Sequence, residues 1–107
     1  MNRIETFTQY LQAHPNDRFA RYSLALALWK DGRTTEAEAH LRTLLAAHPD
    51  AGPAYFQLGR LLEALDRPDE ACAIWRAGLD ATAAATDPDA ARTRAELRRE
   101  IERLTDD

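Results

Sequence analysis

The chain has 107 residues, of which 45% are hydrophobic and 30% charged, and its formal net charge is −4 at neutral pH. This composition is typical of one soluble globular domain rather than of a disordered chain. The acidic balance disfavours nucleic-acid binding, and the single cysteine, Cys72, excludes an intramolecular disulfide framework and favours a reducing compartment.

The sequence leads us to expect neither a secretory signal peptide nor a membrane span. The N-terminus has no apolar signal core, and no apolar run approaches the ~20 residues that a membrane-spanning helix needs. We therefore expect a cytoplasmic protein without membrane partners. Arginine outnumbers lysine thirteen to one, which is consistent with a GC-rich bacterial genome.

The first predicted element is an amphipathic helix over residues 2–14. Ile4, Phe7 and Leu11 recur at helical spacing and lie on one face.

Beyond this helix the sequence repeats itself at a fixed offset. The segment Leu11–Pro15 resembles Leu45–Pro49, and this match sets the offset at 34 positions, from Pro15 to Pro49. The same offset aligns Leu24-Ala25 with Leu58-Gly59, Leu28 with Leu62, Ala37 with Ala71, and Leu41 with Trp75. A fixed period of this length predicts stacked supersecondary units, and the helical spacing of the apolar residues makes each unit a pair of helices. Residues 2–15 match the second half of such a unit.

Capping residues mark the two helices of the first full repeat, residues 18–51. Asn16 or Asp17 can cap the first helix, and Gly32 suits its end. Thr35, with Glu38 three residues later, has the pattern of a capping box for the second helix.

The second full repeat, residues 52–85, has Asp50 as its predicted N-cap, and Asp66 and Pro68 separate its two helices. The register breaks after it, and Asp87-Pro88 predicts the start of a last helix over residues 87–105. Basic and acidic residues alternate along that helix, which indicates a solvated terminal cap rather than an anion-binding face.

This pattern resembles the tetratricopeptide repeat (TPR). The matching places hold Leu24, Ala25, Leu28, Gly32, Ala37, Leu41 and Pro49 in the first repeat, and Tyr55, Leu58, Gly59, Leu62, Ala71 and Trp75 in the second. The departures are Arg21 at a usually apolar place, Leu44 and Gly78 in place of alanine, Asp66 in place of glycine, and Ala83 in place of proline. The resemblance implies a single all-α domain, residues 1–107. It would be a right-handed α-solenoid of antiparallel helix pairs with about six helices: a half repeat, two full repeats and a capping helix.

The resemblance also implies a function, because in this family the first helix of each repeat lines a concave groove that holds a peptide or another protein. The groove places here hold Phe19, Tyr22, Leu26 and Trp29 from the first repeat, and Phe56, Gln57, Arg60 and Glu63 from the second. One known groove type clamps a C-terminal carboxylate with Lys and Asn. Tyr22 and Leu26 stand at those places, so an apolar-anchored peptide or amphipathic helix fits better.

The residues themselves support part of this expectation. Tyr22, Leu26 and Trp29 form a second apolar stripe on a helix whose core face is Leu24, Ala25 and Leu28. Such a stripe packs against the chain's own helices, binds a partner, or forms a self-complementary homodimer. We therefore expect an interaction module that binds an unidentified protein, and the alternative is a structural or self-associating subunit.

Catalytic and cofactor chemistry is not indicated by the sequence. The sequence shows no grouping of nucleophile, base and orienting residue that would indicate a catalytic site, and no glycine-rich phosphate-binding loop. Glu36 and His40 are spaced as two metal ligands would be, but no third ligand accompanies them. Cys72 lies inside a predicted helix, and we expect it to be a small buried apolar residue rather than a reactive thiol. We expect neither an enzyme, nor a metal site, nor a cofactor.

Overall fold

The computed structural model describes residues 1–106, which form six α-helices and no β-strand. The helices are α1 (Arg3–Ala13), α2 (Arg18–Lys30), α3 (Thr34–Ala47), α4 (Gly52–Ala64), α5 (Pro68–Thr82) and α6 (Pro88–Thr105). The prediction of an all-α fold with about six helices is confirmed.

The chain divides into two compact units, one formed by Met1–His48 and the other beginning at Pro49. In the first unit, α2 packs against both α1 and α3. In the second unit, α5 packs against both α4 and α6, and α6 also contacts α4. The pairs α2–α3 and α4–α5 lie within the predicted repeats, residues 18–51 and 52–85.

Several helix ends are fixed by the residues that the sequence indicated. The Oδ1 atom of Asp17 caps α2 by accepting a hydrogen bond of 2.8 Å from the backbone N–H of Ala20. Asp87 caps α6 in the same way through the N–H of Ala90, at 2.9 Å. The first helix of each repeat ends in a left-handed residue, Gly32 with φ +83° and Asp66 with φ +61°. Aspartate tolerates this conformation better than most residues, which explains why it can replace glycine.

Two predicted caps are wrong. No side chain caps α3, which begins at Thr34 and therefore places Thr35 inside the helix rather than before it. The predicted partner of Thr35, Glu38, bonds instead to Arg42 at 3.0 Å. Asp50 does not cap α4 either, because that helix starts later, at Gly52, and its first turn contains a proline without an N–H group to satisfy.

The core of the first unit is built from the apolar face of α2 and the facing residues of its neighbours. Its buried side chains are Leu11, Ala20, Leu24, Ala25, Leu28, Ala37, Leu41 and Leu44. Ala25 and Ala37 are small, so the backbones of α2 and α3 can approach closely.

The core of the second unit is centred on Trp75, which is fully buried, as the repeat alignment predicts. Its indole ring lies against Gly59 of α4, and a methyl group at that position would come within 2.6 Å of the ring atom Cδ1. The indole N–H donates a hydrogen bond of 3.2 Å to the carbonyl of Phe56. Cys72 is buried in the same unit.

Arg21 occupies a place that is usually apolar, yet it forms a hydrogen bond that has an equivalent in the second repeat. Its Nη2 atom donates to the carbonyl of Pro15 at 2.9 Å. Tyr55, which holds the equivalent place in the second repeat, donates its hydroxyl to the carbonyl of Pro49 at 2.7 Å. Each bond ties the first helix of a repeat to the proline turn that precedes it. The arginine at this usually apolar place therefore preserves the hydrogen bond between the helix and the preceding turn.

The same guanidinium also contacts a histidine. The Nη1 atom of Arg21 lies 2.9 Å from Nδ1 of His40 on α3, so Nδ1 accepts and the ring is neutral. Burial lowers the pKa of His40, and the charge of Arg21 lowers it further against the smaller opposing effect of Glu36. The second repeat has Ile74 at the equivalent place.

This contact predicts an acid-sensitive first unit. A histidine whose pKa is lower in the folded state contributes stability above its unfolded pKa of about 6.5 and loses that contribution as the pH falls. We expect His40→Ile to lose less thermal stability than the wild-type chain between about pH 7.5 and about pH 5.5. Equal losses in the wild type and His40→Ile would show that the Arg21–His40 contact is not the cause.

Candidate protein-binding surface

The residues predicted to bind a partner in the first unit lie along one face of α2. Phe19 is 73% exposed, and Tyr22, Leu26 and Trp29 are half-buried. The opposite face is the core, where Leu24 and Leu28 are each 2% exposed. The α2 face, defined as Phe19, Tyr22, Leu26 and Trp29, therefore presents partly open apolar side chains on a helix that is already anchored by its other side.

One basic residue, Lys30, borders the end of the α2 face because it follows Leu26 by one helical turn. Lys30 is exposed, and it lines an open depression of about 440 Å³ between the end of α2 and the start of α1. The other charged residues that line this depression are Arg3, Asp31 and Arg33. Arg18 and Arg21 instead bond to histidines of α3 or its C-terminal end: Nη2 of Arg18 lies 3.1 Å from Nδ1 of His48.

In the second unit the predicted residues lie on α4. Phe56 and Gln57 are half-buried and Arg60 is exposed. The guanidinium carbon of Arg60 lies 5.7 Å from the centre of the Phe56 ring, which is within the range of a cation–π contact. The α4 face, defined as Phe56, Gln57, Arg60 and Glu63, thus combines an aromatic ring with a positive charge.

Glu63 is held by α6 rather than left open. Arg103 donates to both of its carboxylate oxygens, at 2.9 and 2.6 Å, and also to Glu100 at 2.7 Å. The hydrogen bond from Arg103 lowers the pKa of Glu63, and its bonds to the two glutamates raise the pKa of Arg103. The carboxylate of the α4 face is therefore neutralised within the second unit.

The helical spacing predicts the pair of Arg103 with Glu100, but the sequence reasoning treated α6 as a polar cap and missed the pair of Arg103 with Glu63. The separation of Arg103 from Glu63 along the chain matches neither the helical spacing nor the offset of the repeat. No local pattern could have indicated this pair.

The buried polar groups of the described residues are bonded to other side chains and backbone groups. Within residues 1–106 no group of three or more His, Cys, Asp or Glu could hold a metal ion. Every buried side-chain nitrogen or oxygen in that range has a hydrogen-bond partner. His48, for example, bonds to Arg18 through Nδ1 and to the carbonyl of Asn16 through Nε2, at 3.0 Å. In the same range, no helix has the length and apolar character to cross a membrane.

Known proteins resemble the chain in sequence. Two family models described as tetratricopeptide repeat match it, one over residues 28–97 and the other over residues 4–51. A TPR repeat-containing protein of Pseudomonas aeruginosa is 32% identical over 76 residues. That match takes in 71% of this chain and 13% of the Pseudomonas protein, so the chain spans a small part of that relative's length.

Solved structures agree with the sequence matches. The solution structure of a tetratricopeptide repeat domain protein from Salinibacter ruber has a TM-score of 0.75 at 29% identity and covers 84% of this chain and 88% of its own. A crystal structure from the same organism has a TM-score of 0.75 at 28% identity, with coverages of 84% and 98%. A MamA double mutant shares the fold, with a TM-score of 0.67 at 19% identity over 94% of this chain and 55% of its own. Because one family model alone covers more than half of its residues, the chain belongs to the tetratricopeptide-repeat family.

Proposed function

We propose that the chain is a protein-binding module whose α2 face holds an apolar-anchored peptide or helix of another protein. The observation that carries this proposal is the position of Phe19, 73% exposed, in line with the half-buried Leu26 and Trp29. Leaving large apolar side chains in water costs free energy, roughly 1.5–3 kcal/mol for each that a partner could cover fully.

The family supports the class of function. Tetratricopeptide repeats generally mediate protein–protein interaction, and the family is typically non-enzymatic. The α4 face supports it independently, because Phe56 and Arg60 are residue types that commonly anchor interfaces. A partner held mainly by apolar contacts fits the α2 face, where no side chain is acidic.

Two leucines of the first unit allow a matched test. Leu26 on the α2 face and Leu45 on α3 are both half-buried, so truncating either should cost similar stability. Peptides of about 16 residues, long enough to follow α2 as a helix, would be selected from a random phage-displayed library on the wild-type chain. We expect Leu26→Ala to weaken the enriched peptides about fivefold to tenfold and Trp29→Ala to weaken them more than tenfold, as measured by fluorescence anisotropy. Leu45→Ala should leave the affinity unchanged.

Other results would contradict the proposal. If Leu45→Ala weakens binding as much as Leu26→Ala, the losses come from reduced stability and the α2 face is not the site. If no enriched peptide depends on Leu26 or Trp29, the face binds no partner segment of this kind. Association that rises with protein concentration and is abolished by Leu26→Ala would assign the face to a second copy of the chain.

A further inference from the structure

The charge of α2 differs from that of the chain as a whole. The chain carries a net charge of −4, whereas α2 contains three basic residues and no acidic one. An aspartate flanks the helix at each end. Asp17 caps the N-terminus. Asp31 is exposed and lines the same depression as Lys30 and Arg3, whereas Arg33 in that depression is paired with Glu36 at 2.8 Å.

Lys30 provides an unpaired positive charge on this helix. It follows Leu26 by one helical turn, so it extends the α2 face. It is exposed, and none of the carboxylates in the described part of the chain forms an ion pair with it. The same is true of Arg3, which lines the same depression. Lys30 therefore stands beside the end of the apolar stripe, and Arg3 lines the depression next to it, where these two cations outnumber the single unpaired acid, Asp31.

The α4 face shows the same combination of groups. Arg60 lies over the ring of Phe56 and forms no ion pair within residues 1–106. The one acid of that face, Glu63, is already bonded to Arg103. Neither face therefore offers an uncompensated negative charge to a partner.

We propose that the α2 face binds an acidic amphipathic segment, whose apolar side chains cover Phe19, Leu26 and Trp29 and whose carboxylates meet Lys30 and Arg3. This rests on the proposed function and adds the chemical class of the partner. A basic segment would be repelled by the two cations, and a neutral one would cover them without replacing their bonds to water. An acidic segment gains both the apolar contact and the charge pairing.

The peptide selection described above tests the charge of the partner directly. We expect the peptides that depend on Trp29 to combine apolar residues with an excess of Asp and Glu. The double variant Arg3→Glu/Lys30→Glu should weaken them at least tenfold at low salt, and the loss should shrink as salt screens the charges. The control Arg76→Glu/Arg98→Glu makes the same change in net charge at exposed residues of α5 and α6 and should leave the affinity nearly unchanged.

Lys30 is the only lysine in the chain, which allows a site-specific check. Carbodiimide coupling joins an amine to a carboxylate in direct contact, so mass spectrometry of the coupled complex should find the peptide's acid on Lys30. Lys30→Arg should bind nearly as well and lose that cross-link. Peptides that depend on Trp29 but carry no acidic excess, or that tolerate the charge reversal, would overturn the inference and leave the proposed function standing. If none of the selected peptides depends on Trp29, the proposed function itself is wrong.

Discussion

Gly59→Ala should lower the free energy of unfolding by about 3 kcal/mol, although alanine is the better helix former. In an exposed helix the same change stabilises by about 1 kcal/mol. Here the added methyl group would overlap the indole ring of Trp75, with the Cδ1 atom at 2.6 Å. Overpacking of a rigid core costs typically 1–3 kcal/mol, and displacing the ring would also strain the hydrogen bond to the Phe56 carbonyl.

The first repeat supplies the compensating change, because it has Ala25 and Leu41 at the places of Gly59 and Trp75. In a Trp75→Leu background, Gly59→Ala should therefore be neutral or stabilising. The double-mutant cycle, measured by urea unfolding followed by circular dichroism, should show a coupling of about 2–3 kcal/mol. If Gly59→Ala stabilises the wild-type chain, the indole does not lie against α4 as described.

Leu97→Ala should lower the free energy of unfolding by about 3 kcal/mol. Leu97 is the one fully buried side chain that α6 contributes within the described residues. It lies over Gly78, where a methyl group would meet its Cδ1 atom at 3.0 Å. Truncation would leave a cavity that the rigid backbone around Gly78 cannot close. The half-buried Leu104 on the same helix is the control, and Leu104→Ala should cost about 1 kcal/mol.

The ion pair between Arg103 and Glu63 should matter less than Leu97 for the attachment of α6. The side chains of Arg103 and Glu63 are 48% and 32% exposed, and exposed pairs contribute up to about 1 kcal/mol. Thermal unfolding of Leu97→Ala and Arg103→Gln would compare the two contributions. A larger loss in Arg103→Gln would show that charge, rather than apolar packing, holds the helix.

The features that recur at the offset of the repeat could be predicted from the sequence. The period aligned Leu24 with Leu58 and Leu41 with Trp75, and all four side chains are buried in the structure. Such positions can be predicted because equivalent positions of the two repeats pack in the same way and therefore carry the same kinds of residue. One recurring feature was overlooked at this offset: Arg33 bonds to Glu36 and Arg67 to Glu70 at the starts of α3 and α5.

Several features that do not recur at the offset of the repeat could not be predicted. Which aspartate or threonine caps a helix depends on where the backbone turns, and because the N-cap of α3 is Arg33, Thr35 lies inside the helix instead of capping it. The contact of Arg21 with His40 depends on how a long side chain bends, which residue spacing does not record. Partial burial of the α2 face is also a property of packed neighbours. The periodicity places its apolar residues on one face of the helix, and only the structure shows how far each of them is exposed.

The two tryptophans provide the most direct test of partner binding through the α2 face. Trp29 lies on that face and Trp75 is fully buried in the second unit, so the two indole N–H signals of the labelled chain report on different places. On addition of an enriched peptide, the NMR signal of Trp29 should shift while that of Trp75 stays fixed, and dilution of the free protein should move neither. A bound peptide that leaves the Trp29 signal unchanged would contradict binding at this face, and a Trp29 signal that moves on dilution would show that a second copy of the chain covers it.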